Sequence, residues 1–208
     1  MFTLRFTDNQ TQRCGWFALA TAMIFLSGCV VFESPLSTAK DSQPDLALVG
    51  TWEITTGEDE KPQRFVVVRS EEQENVLLAR AVQPADPETD KTLELYCTKL
   101  DDHRLVSLVE TSRSQPEGEP RRYTILKYNL TEDRVETWRF NHEFLKKAVT
   151  EGKLKGTPTS SGRIKLNIVL IEESSETLRK FLSDHAEESF VSNGDEVDIR
   201  RVENEIKK

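Results

Sequence analysis

Apolar and polar residues alternate along most of this 208-residue chain, in short segments that are separated by turns. For example, Leu93, Leu95 and Cys97 alternate with Glu94 and Tyr96. A period of two is typical of β-strands with one buried face. The pattern predicts strands at 48–56, 64–70, 75–82, 92–99, 104–111, 122–130, 134–140, 164–171 and 197–202.

Two segments have the spacing of helices instead. Asn141 can cap a short helix that ends at Gly152, and Ser174 or Ser175 can cap a longer one that reaches Glu188. The longer helix has a largely apolar stripe, formed by Leu178, Phe181, Leu182 and His185. Eight or nine strands with two helices and no βαβ pattern predict a mainly β fold, built on one antiparallel curved sheet or a barrel with one dry face.

The first residues of the chain have the parts of an export signal. Arg5 and Arg13 give a basic start, an almost unbroken apolar run follows at 16–26, and the small residues Ser27 and Gly28 come next. The apolar run is shorter than the roughly 20 residues that a membrane-spanning helix needs. We therefore interpret residues 1–28 as a cleaved signal peptide.

Leu26, Ser27, Gly28 and Cys29 fit the four positions of the lipobox, and this segment resembles the signal peptide of bacterial lipoproteins. The resemblance implies cleavage between Gly28 and Cys29 and attachment of a diacylglyceryl group to the Cys29 sulfur. It also implies a further acyl chain, such as palmitate, on the Cys29 amine. In Gram-negative lipoproteins an aspartate after the cysteine commonly retains the protein on the inner membrane. Because Val30 stands there instead, the resemblance implies, for a Gram-negative protein, a cell-envelope protein that is anchored in the outer membrane and faces the periplasm.

The composition after Cys29 divides the rest of the chain in two. Residues 30–45 are rich in Ser, Thr, Pro and Asp, which is typical of a linker. We therefore expect the lipidated cysteine and a flexible tether at 29–46, followed by a single β-rich domain at 47–208. A flexible tether of about sixteen residues would hold the domain roughly 20–24 Å from the bilayer.

Charge and cysteine content exclude several kinds of interaction. Residues 1–28 hold two of the 28 Lys+Arg and one of the 36 Asp+Glu, so the remaining chain has a net charge of −9. This charge argues against nucleic acid as a partner and against an electrostatic anchor on anionic lipid.

Cys97 is the one cysteine left after Cys29, so the domain has no internal disulfide. We expect Cys97 to be a small buried hydrophobe rather than a reactive thiol.

Gly50, Thr51 and Trp52 in the first predicted strand resemble the Gly-x-Trp signature of lipocalins and related calycin barrels. In that family the tryptophan closes one end of the barrel and an arginine from the last strand packs across it. The resemblance implies a lipocalin-like barrel in which Arg200 or Arg201 packs on Trp52. The second lipocalin signature, a Thr-Asp-Tyr triplet between later strands, is missing from this sequence.

No other motif in the sequence carries recognisable chemistry. His103, His142 and His185 do not have metal-ligand spacing, and we expect no catalytic site, metal or cofactor. Four aromatic residues are candidates either for a ligand cavity or for the core: Tyr123, Tyr128, Trp138 and Phe140.

The sequence leaves three functional hypotheses. The first is a non-enzymatic, membrane-anchored domain that binds or interacts with a protein partner in the cell envelope. The second is a lipocalin-like carrier of a small apolar ligand, and the third is an enzyme of unfamiliar type. The inside of the barrel separates the carrier from the other two hypotheses. An open apolar pocket favours a carrier, whereas a lumen filled by Trp52, Phe65, Trp138 and similar side chains counts against it.

Overall fold

The computed structural model describes residues 30–57, 62–82, 92–111, 121–161, 166–193 and 197–202. Within these ranges the fold is mainly β, as the alternation predicts. The strands are β1 (Val30–Phe32), β2 (Gly50–Thr56), β3 (Gln63–Arg69), β4 (Leu77–Ala81), β5 (Thr92–Leu100), β6 (His103–Thr111), β7 (Thr124–Leu130), β8 (Val135–Phe140), β9 (Gly156–Ser161), β10 (Leu166–Ile171), β11 (Phe190–Ser192) and β12 (Val197–Arg201).

Most of these strands belong to one curled antiparallel sheet. Its order across the described residues is β11-β8-β7-β6-β5-β4-β3-β2-β12. The sheet curls so far that β12, at one edge, returns to β8, which lies next to the other edge. Arg134 forms an isolated bridge with Arg200, and the Arg201 amide donates to the Asp133 carbonyl at 2.7 Å. The sheet therefore closes on itself at this end, which satisfies backbone groups that an open edge would leave unpaired.

A second, three-stranded sheet lies outside the curl, in the order β1-β10-β9. β1 pairs in parallel with β10, and it also contacts the main sheet through the bridge between Phe32 and Tyr123. The sequence prediction missed β1, β9 and β11. β9 has the sequence Gly-Thr-Pro-Thr-Ser-Ser, in which no apolar residue marks a strand.

Two cores result, one on each face of the main sheet. The inner core lies inside the curl and contains Trp52, Val67 and Val106. The outer core lies between the main sheet, the second sheet and the helices, and it contains Phe32 and Leu105. The expectation of one dry face is therefore wrong for the centre of the sheet, because five consecutive residues are buried in both β5 and β6.

The helices cover the outer face and begin where the sequence predicts. Helix α1 (His142–Thr150) is capped by Asn141, whose side chain accepts from the Phe144 amide, and helix α2 (Ser175–Asp184) is capped by Ser174. The second helix ends at Asp184 rather than near Glu188. A separate four-residue helix, α3 (Ala186–Ser189), follows it. No helix in the described ranges is both long enough and apolar enough to cross a membrane.

The prediction of a flexible tether is wrong for residues 30–46. Val30 and Leu36 are completely buried in the outer core, and the Leu36 amide donates to the Ser107 hydroxyl of β6 at 3.0 Å. Further along, the Gln43 amide donates to the Cys97 carbonyl at 3.0 Å. A few apolar side chains among the serines and prolines are enough to dock this segment onto the sheet, although its average composition is that of a linker.

Candidate functional site: an apolar cavity inside the curled sheet

The inner core contains a partly open cavity of about 80 Å³. Every second residue of the surrounding strands points into it, and its open wall is apolar. The lining residues are Leu48, Trp52, Ile54, Phe65, Val67, Leu95, Val106, Leu108, Leu126, Tyr128, Val135, Thr137 and Ile199. Protein interiors are normally close-packed, so an unfilled apolar space in a core is a candidate site for a ligand. The space is smaller than the roughly 300–1,000 Å³ of pockets for drug-sized ligands, so it would hold only a small group.

Trp52 closes one end of the cavity. Its side chain is completely buried, and its indole Nε1 donates to the Leu48 carbonyl at 2.7 Å. Leu48 ends a short 3₁₀ helix (Leu46–Leu48), which Asp45 caps by accepting from the Ala47 amide at 3.1 Å. The 3₁₀ helix therefore lies at this end of the curl, immediately before β2. Its Leu48 carbonyl holds the Trp52 indole in place.

Arg201, rather than Arg200, packs against the tryptophan. Its guanidinium carbon lies 4.3 Å from the centre of the Trp52 ring, and its Nη1 donates to the Val49 carbonyl at 3.1 Å. Gly50 leaves room for it, since a Cβ there would lie 2.6 Å from Nη1, and Gly50 has a φ of +145°. Arg200 is one residue earlier, points away, and forms an exposed ion pair with Asp198.

Tyr128 and Thr137 are the two hydroxyl side chains in the cavity wall, and each hydroxyl is hydrogen-bonded to the protein. The Tyr128 hydroxyl donates to Asp45 Oδ2 at 3.1 Å, and Arg104 Nη1 lies 3.4 Å from the same oxygen. Burial, first of all, raises the pKa of the Tyr128 phenol, and the nearby thiol and carboxylate raise it further. The phenol is therefore neutral at physiological pH, and its hydroxyl is already hydrogen-bonded to the protein.

Cys97 is buried in the inner core, as the alternation of β5 predicts. Burial raises the pKa of its thiol above the ordinary value. A protonated thiol is a poor nucleophile, so the environment of Cys97 is that of a packing residue rather than a reactive cysteine.

The outer face holds a polar cluster that the sequence did not indicate. Glu94 is buried, its Oε2 accepts from the Tyr96 hydroxyl at 2.5 Å, and Arg121 Nη1 lies 3.0 Å from the same oxygen. Burial, followed by the hydrogen bond to Glu94, raises the pKa of the Tyr96 phenol. Alternation placed Glu94 and Tyr96 opposite the apolar face of β5. It gave no sign that a second layer covers them.

The aromatic residues that the sequence singles out divide between the two faces of the sheet. Of the four candidate aromatics, Tyr128 lines the cavity, whereas Tyr123, Trp138 and Phe140 belong to the outer core or pack against it. Phe65 and Trp52 lie in the inner core with other buried side chains, whereas Trp138 packs against the outer core. The lumen is therefore largely filled, and the cavity is the space that remains.

The three histidines do not come together. His103 begins β6, the His142 Nδ1 atom faces Glu143 at 3.1 Å, and the His185 ring packs 4.8 Å from the ring of Phe181. Across the residues that the structure describes, no three His, Cys, Asp or Glu side chains are grouped so that they could hold a metal ion. The predicted lipidation and cleavage residues, Cys29 and Gly28, lie outside the described residues.

Comparison with known proteins identifies no relative. No protein-family model matches the chain, and no curated protein or solved structure is significantly similar to it.

Proposed function

We propose that the protein is a lipid-anchored protein of the bacterial cell envelope that binds a small apolar ligand inside its curled sheet and catalyses no reaction. The observation that carries this proposal is the apolar cavity of about 80 Å³ in the inner core. If the core served only to stabilise the fold, filling such a space would raise the free energy of unfolding by several tenths to a few kcal/mol.

The wall of the cavity defines the class of ligand. It is apolar, and the Tyr128 hydroxyl that borders it is already hydrogen-bonded to Asp45. Recognition would therefore rest on shape and apolar contact. Engineered apolar cavities of about 150 Å³ bind benzene, so the smaller space here suits a narrow group such as a short alkyl chain. The packing of Arg201 on Trp52, which resembles the closed end of a lipocalin, supports a carrier of this kind.

The lipobox residues Leu26 to Cys29 support the membrane anchor. Thioether-linked diacylglycerol supplies two acyl chains, and two chains give stable anchoring where one gives only marginal binding. Val30 after the cysteine favours the outer membrane, with the domain in the periplasm.

A protein-interaction domain is the competing proposal, and the described surface supports it less. The exposed large hydrophobic residues in the described ranges are Leu46, Val82 and Val191. They belong to the 3₁₀ helix, the end of β4 and β11, and single exposed hydrophobic residues of this kind are normal on soluble surfaces.

The polar clusters also favour binding over catalysis. Tyr128 and Tyr96 are neutral phenols that donate to Asp45 and Glu94, and their raised pKa values make them poor general bases at neutral pH.

Tryptophan fluorescence tests the ligand site. From residue 30 onward the chain contains two tryptophans: Trp52, which lines the cavity, and Trp138, which does not. A brominated alkane titrated into the domain should quench Trp52 emission in the Trp138→Phe variant. A Val106→Phe substitution, which fills the cavity, should weaken this quenching strongly. If the alkane leaves Trp52 emission unchanged, the ligand site is wrong.

Fractionation tests the anchor separately. Replacing Cys29 with serine removes the acylated sulfur, so the protein should move from the membrane to the soluble fraction. Intact mass of the parent protein should show the added acyl groups. An unmodified thiol at Cys29, or unchanged membrane association of the variant, contradicts the anchor without affecting the ligand site.

A further inference from the structure

The first described strand begins one residue after the proposed anchor. Val30 follows Cys29 directly, is completely buried, and pairs with Val169 of β10. Consecutive Cα atoms lie about 3.8 Å apart, whereas a flexible tether of about sixteen residues would give roughly 20–24 Å. The folded domain therefore begins at the anchor itself, with no flexible spacer between them.

We propose that the anchor holds the domain directly against the bilayer, with the outer-face surface formed by Lys127 and Trp138 turned toward the lipid. This inference rests on the proposed acylation of Cys29. The occupant of the surface is the lipid headgroup and upper acyl-chain region of the membrane in which the anchor is inserted.

The course of β1 identifies this surface. Phe32 forms an antiparallel bridge with Tyr123, so the chain from Phe32 back to Val30 runs beside β7 in the direction of Lys127. Val30 also shares the outer core with Phe190 of β11. The N-terminal end of β1, at Val30, is therefore the end nearer to Lys127 along β7.

The side chains at this place have the chemistry of a membrane interface. Lys127 pairs with Trp138 across β7 and β8, and its Nζ lies 5.5 Å from the centre of the Trp138 ring and 5.6 Å from that of Phe190. Trp138 is partly buried against the edge of the outer core. Tryptophan and lysine are both enriched where headgroups meet acyl chains, because each has an apolar body and a polar end.

The net charge of the chain after residue 28 indicates which force keeps the domain surface in contact with the membrane. A net charge of −9 opposes attraction to anionic lipid, so the surface does not bind membranes by electrostatics. The covalent acyl chains supply the affinity, and the absence of a spacer sets the orientation.

Quenching by brominated phospholipid tests the orientation. The acylated protein that begins at Cys29 is reconstituted into phosphatidylcholine vesicles whose acyl chains carry bromine near the headgroup. The parent protein should be quenched relative to the same vesicles without bromine. The Trp138→Phe variant should lose most of this quenching, because the remaining Trp52 is completely buried on the other face of the sheet.

A spacer variant is the matched control. Insertion of sixteen Gly and Ser residues directly after Cys29 restores the reach of a flexible tether. This protein should still float with the vesicles but lose the quenching, and the comparison with the parent does not depend on how the Trp138 variant folds. Vesicle-bound parent protein without quenching, or equal quenching with the spacer, overturns the orientation while the anchor stands. Protein that lacks acyl groups and does not bind vesicles overturns the proposed anchor, and the orientation with it.

Discussion

The guanidinium carbon of Arg201 lies 4.3 Å from the centre of the Trp52 ring, and the two side chains cover the closed end of the curled sheet. Arg201 also donates to the Val49 and Ala47 carbonyls. We expect Arg201→Ala to lower the free energy of unfolding by about 1–3 kcal/mol, because it removes a cation–π contact and two hydrogen bonds. Urea denaturation measures the loss. Arg200→Ala is the control, and it should change little because its ion pair is exposed. Equal losses in the two variants would contradict the role of Arg201.

The docked segment at residues 30–45 gives a second prediction. Leu36 is completely buried, whereas Leu46, ten residues later, is 51% exposed. Leu36→Ala should destabilise the domain by about 2–5 kcal/mol through lost apolar contact and an unfilled cavity. Leu46→Ala should be nearly neutral. Thermal and urea denaturation compare them, and a neutral Leu36→Ala variant would show that the segment is a tether after all.

Two valines on opposite faces of β6 test the cavity. Val106 lines the cavity, and Val109 is buried in the outer core. An added methylene at Val106 can extend into the cavity, so Val106→Leu should cost less than about 1 kcal/mol or stabilise the protein. Val109→Leu should cost about 1–3 kcal/mol by overpacking. Denaturation measures both variants. If Val106→Leu is the more costly change, the inner core has no usable space.

The buried phenol of Tyr128 predicts a loss of stability at alkaline pH. Its pKa in the folded protein is raised above the ordinary value of 10.0, so the folded state keeps a proton that the unfolded state releases. The contribution is complete below pH 10 and falls as the pH rises further, by about 1.4 kcal/mol per pH unit for one such group. Tyr128→Phe should flatten the alkaline part of the stability profile. A slope that does not change would show that the phenol titrates normally.

The sequence predicts most strands of the main sheet from short apolar runs and, where it is clear, from a period of two. β5 is an example, since Leu95 and Cys97 face the inner core while Tyr96 faces the outer one. The same period separates Arg201 from Arg200 on β12, although it could not show beforehand which face of that strand points inward.

What the sequence could not show depends on contacts between distant residues. β1 is three residues long, and it becomes a strand only because β10, about 140 residues later, lies beside it. Glu94 is buried only because Arg121 and the second layer cover it. The cavity exists because the side chains inside the curl do not fill all of its volume. No local sequence pattern shows how well they fill it.

Native mass spectrometry of the gently purified domain, from residue 30 onward, shows whether the cavity holds a ligand. Part of the protein should carry a small apolar molecule, and Val106→Phe, which fills the cavity, should remove this species without unfolding the domain. A spectrum that contains only the mass of the bare chain, for parent and variant alike, together with Trp52 emission that no brominated alkane quenches, would contradict the ligand site.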